Sequence, residues 1–159
     1  MTAIHYQLYE GPPGEEVLAW VVQVNEEIFG FGESAEAIAE KLAGQKQILI
    51  CLAFRDDAVV GFKAGFKERY DYFKSWRGGV LPSARRQGIA AELMKRQHAW
   101  AAEQGFRIIT TNTENNNVPM QMLNLHHGFK VVGTFLDRSK HLKVILQKWL
   151  VDPDGIHDA

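Results

Sequence analysis

The segment Gly78-Gly79-Val80-Leu81-Pro82-Ser83-Ala84-Arg85-Arg86-Gln87-Gly88-Ile89-Ala90-Ala91 joins a β-rich run to a helical one through a short loop. A loop of this kind builds an anion site. The opening turn of a helix leaves unpaired N–H groups pointing at one spot, and the helix dipole makes that spot positive. Gly88 lets backbone approach a phosphate with no side chain in the way, and Ala90 is small enough to allow the same. Arg85 and Arg86 add charge. No Gly-Lys-Ser/Thr follows, so this is not a Walker loop, and the dinucleotide spacing Gly-x-Gly-x-x-Gly is missing too. Taken alone, Arg-x-x-Gly-x-Ala also describes a glycine that opens a helix between solvated arginines. Gly78 and Gly79 fall inside a strand, where glycine is costly unless a bulge or a close backbone approach needs it.

Upstream, residues 4–9 alternate apolar and polar and predict a first strand. After the turn 11–14, Val17, Trp20, Val21, Val24 and Ile28 recur at helical spacing and stop near Gly30. Ser34 is placed to cap a second helix that ends at Gly44. The runs 47–55 and 58–67 flank Asp56-Asp57 as a hairpin, and a turn at Tyr70-Asp71-Tyr72 leads into strand 73–81. Downstream, the spacing predicts a helix over 86–104 with Gly105 as its stop, then a strand over 106–113. Asn117 can cap a helix over 118–127, with Pro119 tolerated in its first turn. Strands 129–136 and 142–150 form a last hairpin. The order is β α α β β β α β α β β. The helix between the fourth and fifth strands makes those two parallel, and hairpins make the other neighbours antiparallel. This is a mixed α/β sheet with helices on both faces, carried by residues 1–150 as one domain with a short polar tail over 151–159.

The chain has 159 residues, enough for one sizeable core, and its 46% hydrophobic and 23% charged content is that of a globular protein. With 18 Lys+Arg against 19 Asp+Glu it lacks the basic excess that nucleic-acid binding is built on. Its one cysteine, Cys51, can form no internal disulfide and reads as a small buried hydrophobe. The start of the chain has no signal-peptide pattern, and no apolar run has the length of a membrane span. The expectation is a cytoplasmic protein with no nucleic-acid, membrane or metal partner. His98 and His141 lack metal-ligand spacing, and His126-His127 suit the negative end of a helix dipole.

Two motifs together carry a resemblance. Val80-x-Pro82-x-x-Arg85-x-x-Gly88-x-Ala90 resembles the acyl-CoA pyrophosphate loop of the GNAT superfamily of N-acyltransferases. Asn117-x-x-Met120-x-x-Leu123-Asn124-x-x-x-Gly128-Phe129 resembles the helix that follows the fifth strand in the same superfamily. The match in element order runs from Ile4 to Trp149. It implies a centrally splayed sheet, with the fourth and fifth strands parting at a bulge so that pantetheine enters between them. Gly78, Gly79 and Val80 would hold pantetheine by their backbone. Arg85 and the stretch Arg86, Gln87, Gly88, Ile89, Ala90 and Ala91 would seat the pyrophosphate, with Asn117 on the far side of the pantetheine arm. The implied reaction is acetyl transfer from acetyl-CoA to a primary amine in a ternary complex, with the Gly79 or Val80 N–H stabilising the oxyanion. A homodimer is common among members of the superfamily.

The acid and base positions depart from the superfamily pattern. Where many members carry Glu as base and Tyr as acid, this chain has Asn112 and Asn124, and an amide transfers no proton. A thiol of pKa ~8.5 lies roughly 2 kcal/mol from ionisation at pH 7, whereas a lysine-like amine of pKa ~10.4 lies roughly 4.6 kcal/mol from deprotonation. Losing the acid therefore matters less than losing the base. Asn124 is a candidate hydrogen-bond donor to the sulfur or the pantetheine. Glu114 ranks first as replacement base, ahead of Glu68 and Asp71; each also reads as a solvated turn carboxylate, and a base can act through water. Glu26, Glu27, Phe29, Phe31 and Glu33, between the first two helices, read either as acceptor-pocket residues or as a charged face. Phe73, Trp76, Tyr70 and Tyr72 read as core and pocket wall, with Tyr70 and Tyr72 also open to contact with an acceptor. The alternative function is an acyl-CoA-binding module that has lost turnover.

Overall fold

The structure, a computed structural model, describes residues 3–30 and 34–151. The chain runs β1 (Ile4–Glu10), α1 (Glu15–Phe29), α2 (Ala35–Ala43), β2 (Lys46–Arg55), β3 (Ala58–Arg69) and β4 (Tyr72–Val80). A short 3-10 turn (Pro82–Ala84) leads to α3 (Ile89–Glu103), β5 (Ile108–Glu114), α4 (Val118–His126), β6 (Lys130–Leu136) and β7 (Leu142–Trp149). The seven strands make one mixed, mostly antiparallel sheet in the order β1-β2-β3-β4-β5-β7-β6, and β4 with β5 is its parallel pair. Phe31, Glu33 and the tail 152–159 lie outside the described residues.

Helices cover both faces because the strands are apolar on both. In β2 every side chain from Ile48 to Phe54 is buried, the pattern of a strand packed on either side. On one face α1 lays Val17, Val21, Val24 and Asn25 against the sheet, and α2 adds Ile38 and Leu42. On the other, α3 buries Ile89, Leu93, Met94, Gln97, His98, Trp100 and Ala101. The Trp100 and Phe73 rings meet edge to face at 5.7 Å, and the Trp100 indole N–H donates to Glu10 at 2.8 Å. Ser34 caps α2 by accepting from the Ala37 amide at 3.1 Å, and Asn117 caps α4 by accepting from Met120 at 3.2 Å, as their side chains lead one to expect.

The third helix begins at Ile89, not at Arg86. Arg86 has φ 64° and Gly88 φ 77°, left-handed conformations that a helix cannot contain, so these residues form a loop in front of it. Tyr70 is not core but turn, with φ 45° and 81% of its surface exposed.

Candidate active site

The β4–β5 ladder consists of three pairs, Tyr72↔Ile108, Phe73↔Ile109 and Lys74↔Thr110. Beyond Lys74 the strands part. The Thr111 hydroxyl donates to the Ser75 carbonyl at 3.1 Å and bridges the point of divergence by a side chain where backbone pairing has stopped. The register of β3 against β4 slips between Ala64↔Arg77 and Gly65↔Ser75, so Trp76 is an extra residue on β4. The bulge thus falls at Trp76, two residues ahead of the glycines that suggested it, and bends β4 away from β5.

The glycines serve close approach. A side chain on Gly79 would begin 2.5 Å from Cδ1 of Ile28 on α1, so its absence lets α1 settle on β4. A side chain on Gly78 would begin 3.0 Å from the Phe62 carbonyl and 3.3 Å from Cγ of Lys63. Backbone groups alternate along a strand. The Leu81 amide donates to Val60 of β3 at 2.8 Å, so Leu81 and Gly79 turn their polar groups to β3, and Gly78 and Val80 turn theirs to the gap. Of the two amides that the resemblance offers for the oxyanion, that of Gly79 therefore points to β3 and that of Val80 to the gap.

At the open end of the gap, the Arg85 amide donates to Pro82 at 3.4 Å, and the next amide to donate within the chain is that of Glu92, to Gly88 at 3.0 Å. Among the described residues, the amides of Arg86, Gln87, Gly88, Ile89, Ala90 and Ala91 donate to nothing. The left-handed Arg86 and Gly88 curl successive N–H groups into a concavity that suits an anion. Gln87 is anchored by accepting from Arg55 at 2.9 Å. Arg85 folds back, its Nε donating to the Val80 carbonyl at 3.1 Å, and so braces the end of β4.

Across the gap stands α4. Asn124 is buried, and its side-chain amide donates to the Thr113 hydroxyl at 3.3 Å, which pins the inner face of α4 to β5. Asn117 sits at the start of α4 with its oxygen engaged in the cap. Counted from Lys74↔Thr110 and allowing for the bulge, Glu114 is level with Gly79 on the opposite wall. Its carboxylate lies 3.4 Å from Nζ of Lys143 and 3.8 Å from Nδ1 of His141. Glu68 and Asp71 are at the other end, before the paired segment. Asp71 stands seven residues from Gly78, roughly 20 Å at strand rise, and its carbonyl accepts from Arg107 at 2.9 Å. The structure separates both from the gap. Glu26 faces outward, lining a groove with Leu18, Val22 and Ala35, and Phe29 is 59% exposed.

Sequence reading missed the polar side chains hidden against the sheet. Asn25 on α1 and Gln97 on α3 are fully buried, with no hydrogen-bond partner for either side-chain polar atom among the described residues. His98 is buried against Phe129, and its Nδ1 accepts from the Lys148 ammonium at 3.0 Å. Burial, with the charges of Lys148, Lys63 and His127, pushes its pKa down to about 2. Each of these lies at an apolar helical position, so periodicity counts the place as core and gives no signal of a polar occupant. No group of three or more His, Cys, Asp or Glu among the described residues could hold a metal ion, and no helix is long and apolar enough to cross a membrane.

A sheet parted between its parallel strands, with a loop of unpaired amides at the mouth, is the frame of an acyl-CoA-dependent acyltransferase. The chain belongs to the acetyltransferase (GNAT) family, whose model matches residues 14–129. Solved structures agree in fold. The ribosomal-protein-S18-alanine N-acetyltransferase from Escherichia coli aligns over 94% of this chain and 98% of its own, with TM-score 0.77 and 12% identity. Ard1 from Thermoplasma volcanium aligns over 92% and 99%, with TM-score 0.77 and 13% identity. An aminoglycoside 6'-acetyltransferase type Ii aligns over 93% and 99%, with TM-score 0.76 and 15% identity. No curated protein matches the chain in sequence.

Proposed function

We propose that this protein is an N-acetyltransferase that moves an acetyl group from acetyl-CoA to a primary amine by direct attack in a ternary complex. The observation that carries the reading is the gap beyond Lys74 together with the unused amides of residues 86–91 at its mouth. A diphosphate would be held by those amides and by the charge of Arg86. Pantetheine would lie along β4, hydrogen-bonded to Gly78 and Val80, with Asn117 and Asn124 on the α4 side. The Val80 or Gly78 N–H would meet the oxyanion as the amine adds to the thioester carbon. Glu114, level with Gly79 and exposed to water, would take the proton of the attacking amine, directly or through one water.

CoA and acetyl-CoA are expected to raise the melting temperature through linkage. Release of free thiol over a panel of amines, amino acids, polyamines and peptides, between about pH 7 and pH 9, should then find an acceptor. No thermal shift with either nucleotide ends the reading. The amides at positions 112 and 124, the latter already bonded to Thr113, favour one other outcome, an acyl-CoA-binding module. It would show the thermal shift and release no thiol with any amine.

A further inference from the structure

Asn124 cannot give a proton to a departing thiolate, and its amide N–H is directed at Thr113. A group that can give a proton stands on the other wall, on the β3–β4 side. Lys63 of β3 is paired with Gly78 of β4 and lies on the same face, under α3. Gly78 has no side chain, so the Lys63 stem lies directly on β4 beside the gap, its Cγ 3.3 Å from where a Gly78 Cβ would stand. The Lys63 charge is felt by His98 of α3. His98 touches Phe129 and Lys148, and Lys148 pairs with Ile109 of β5. Lys63 and His98 thus share the layer between the sheet and α3. The titratable groups Lys63 meets are Cys51 on β2 and His98 on α3; Arg96 of α3 acts on Cys51, and Lys148 lies beyond His98. Among the described residues no carboxylate is among the groups that act on Lys63, and the Glu10 carboxylate under the same helix is engaged by Trp100.

We propose that the Lys63 ammonium faces the sulfur of the bound donor and protonates it as the C–S bond breaks. The inference rests on the donor lying between β4 and β5 as proposed above. The amine adds to the thioester carbon and the tetrahedral adduct collapses. The C–S electron pair goes to sulfur, sulfur takes a proton from Lys63, and CoA leaves as the thiol. Lys63, then neutral, is reprotonated from water, while the proton of the new amide nitrogen leaves on the acceptor side. Burial lowers the Lys63 pKa to about 8, close to that of the thiol it serves.

The test needs no acceptor. CoA itself is bound and its thiolate is followed by ultraviolet absorbance as pH is varied. The thiol of Cys51, pushed up to about 12 by burial, stays silent in this window. A free thiol of pKa ~8.5 is about one-tenth ionised at pH 7.5; with Lys63 beside it about half should be, and Lys63→Met should cut that fraction about fivefold. Lys63→Arg, which keeps the charge, should retain most of it. Bound CoA in the unaltered protein with no more thiolate than free CoA overturns the proposal without any variant. Equal thiolate fractions in the unaltered protein and K63M, both with CoA bound, do so as well. Failure of CoA to bind the unaltered protein instead brings down the donor reading.

Discussion

His98 makes the fold acid-sensitive. It is held neutral beneath α3, with a pKa near 2 where the unfolded chain has about 6.5, so between those values the unfolded state binds the extra proton. Stability should fall as pH drops below about 6.5, by at most about 1.4 kcal/mol per pH unit from this one group. His98→Gln removes the titration, so the stability difference between it and the unaltered protein should change steadily over that range. Urea unfolding between about pH 7 and pH 4 measures it. A constant difference would mean that His98 titrates normally. The neighbouring Gln97 and, on α1, Asn25 are alike in this: each stands on an inward stripe that periodicity counts as core, with no sign that its occupant is polar. Only the structure shows a polar side chain buried there.

At the scale of elements, α1 and β4 are fitted by subtraction, since Ile28 occupies the place where Gly79 lacks a side chain. Gly79→Val should destabilise by about 1–3 kcal/mol through overpacking. Ile28→Ala in the same chain should return part of that, a coupling a double-mutant cycle would read. The loop before α3 depends on Gly88 at φ 77°, where an added Cβ meets no neighbour but a strained backbone. Gly88→Ala should cost roughly 1–2 kcal/mol of stability. It should also weaken CoA binding about tenfold, measured by titration calorimetry, if the curled amides relax. These elements were largely readable beforehand. Turn residues, caps at Ser34 and Asn117, and the apolar period marked every strand and helix, because each signal is local. The α3 start was misplaced by three residues because an arginine at positive φ carries no mark in sequence. The bulge was misplaced by two because glycine marks close approach as well as irregularity. Which β4 amides face the gap, and that Lys63 lies beside it, depend on register across strands, which no single segment encodes.

For the whole molecule, the consequence lies in how little joins its two parts. Among the described residues, β1–β4 and β5–β7 are linked along this seam by three residue pairs, the Thr111–Ser75 bond and the amides of Arg107 and Ile108 on the Asp71 carbonyl. CoA lying between them would add contacts to both walls at once. Hydrogen exchange with saturating CoA should therefore slow in 86–91 and in β5 together, while the β2–β3 core, already protected, changes little. Slowing confined to 86–91 would mean that the nucleotide grips the loop and leaves the cleft empty.

A donor bound as proposed, wedged between the fourth and fifth strands, would become a piece of the architecture. A chain that has just released its spent thiol would then be a sheet with a missing slat, most open to proteases until the next donor arrives. Its survival in a mixture of proteases should accordingly rise and fall with the supply of CoA thioesters.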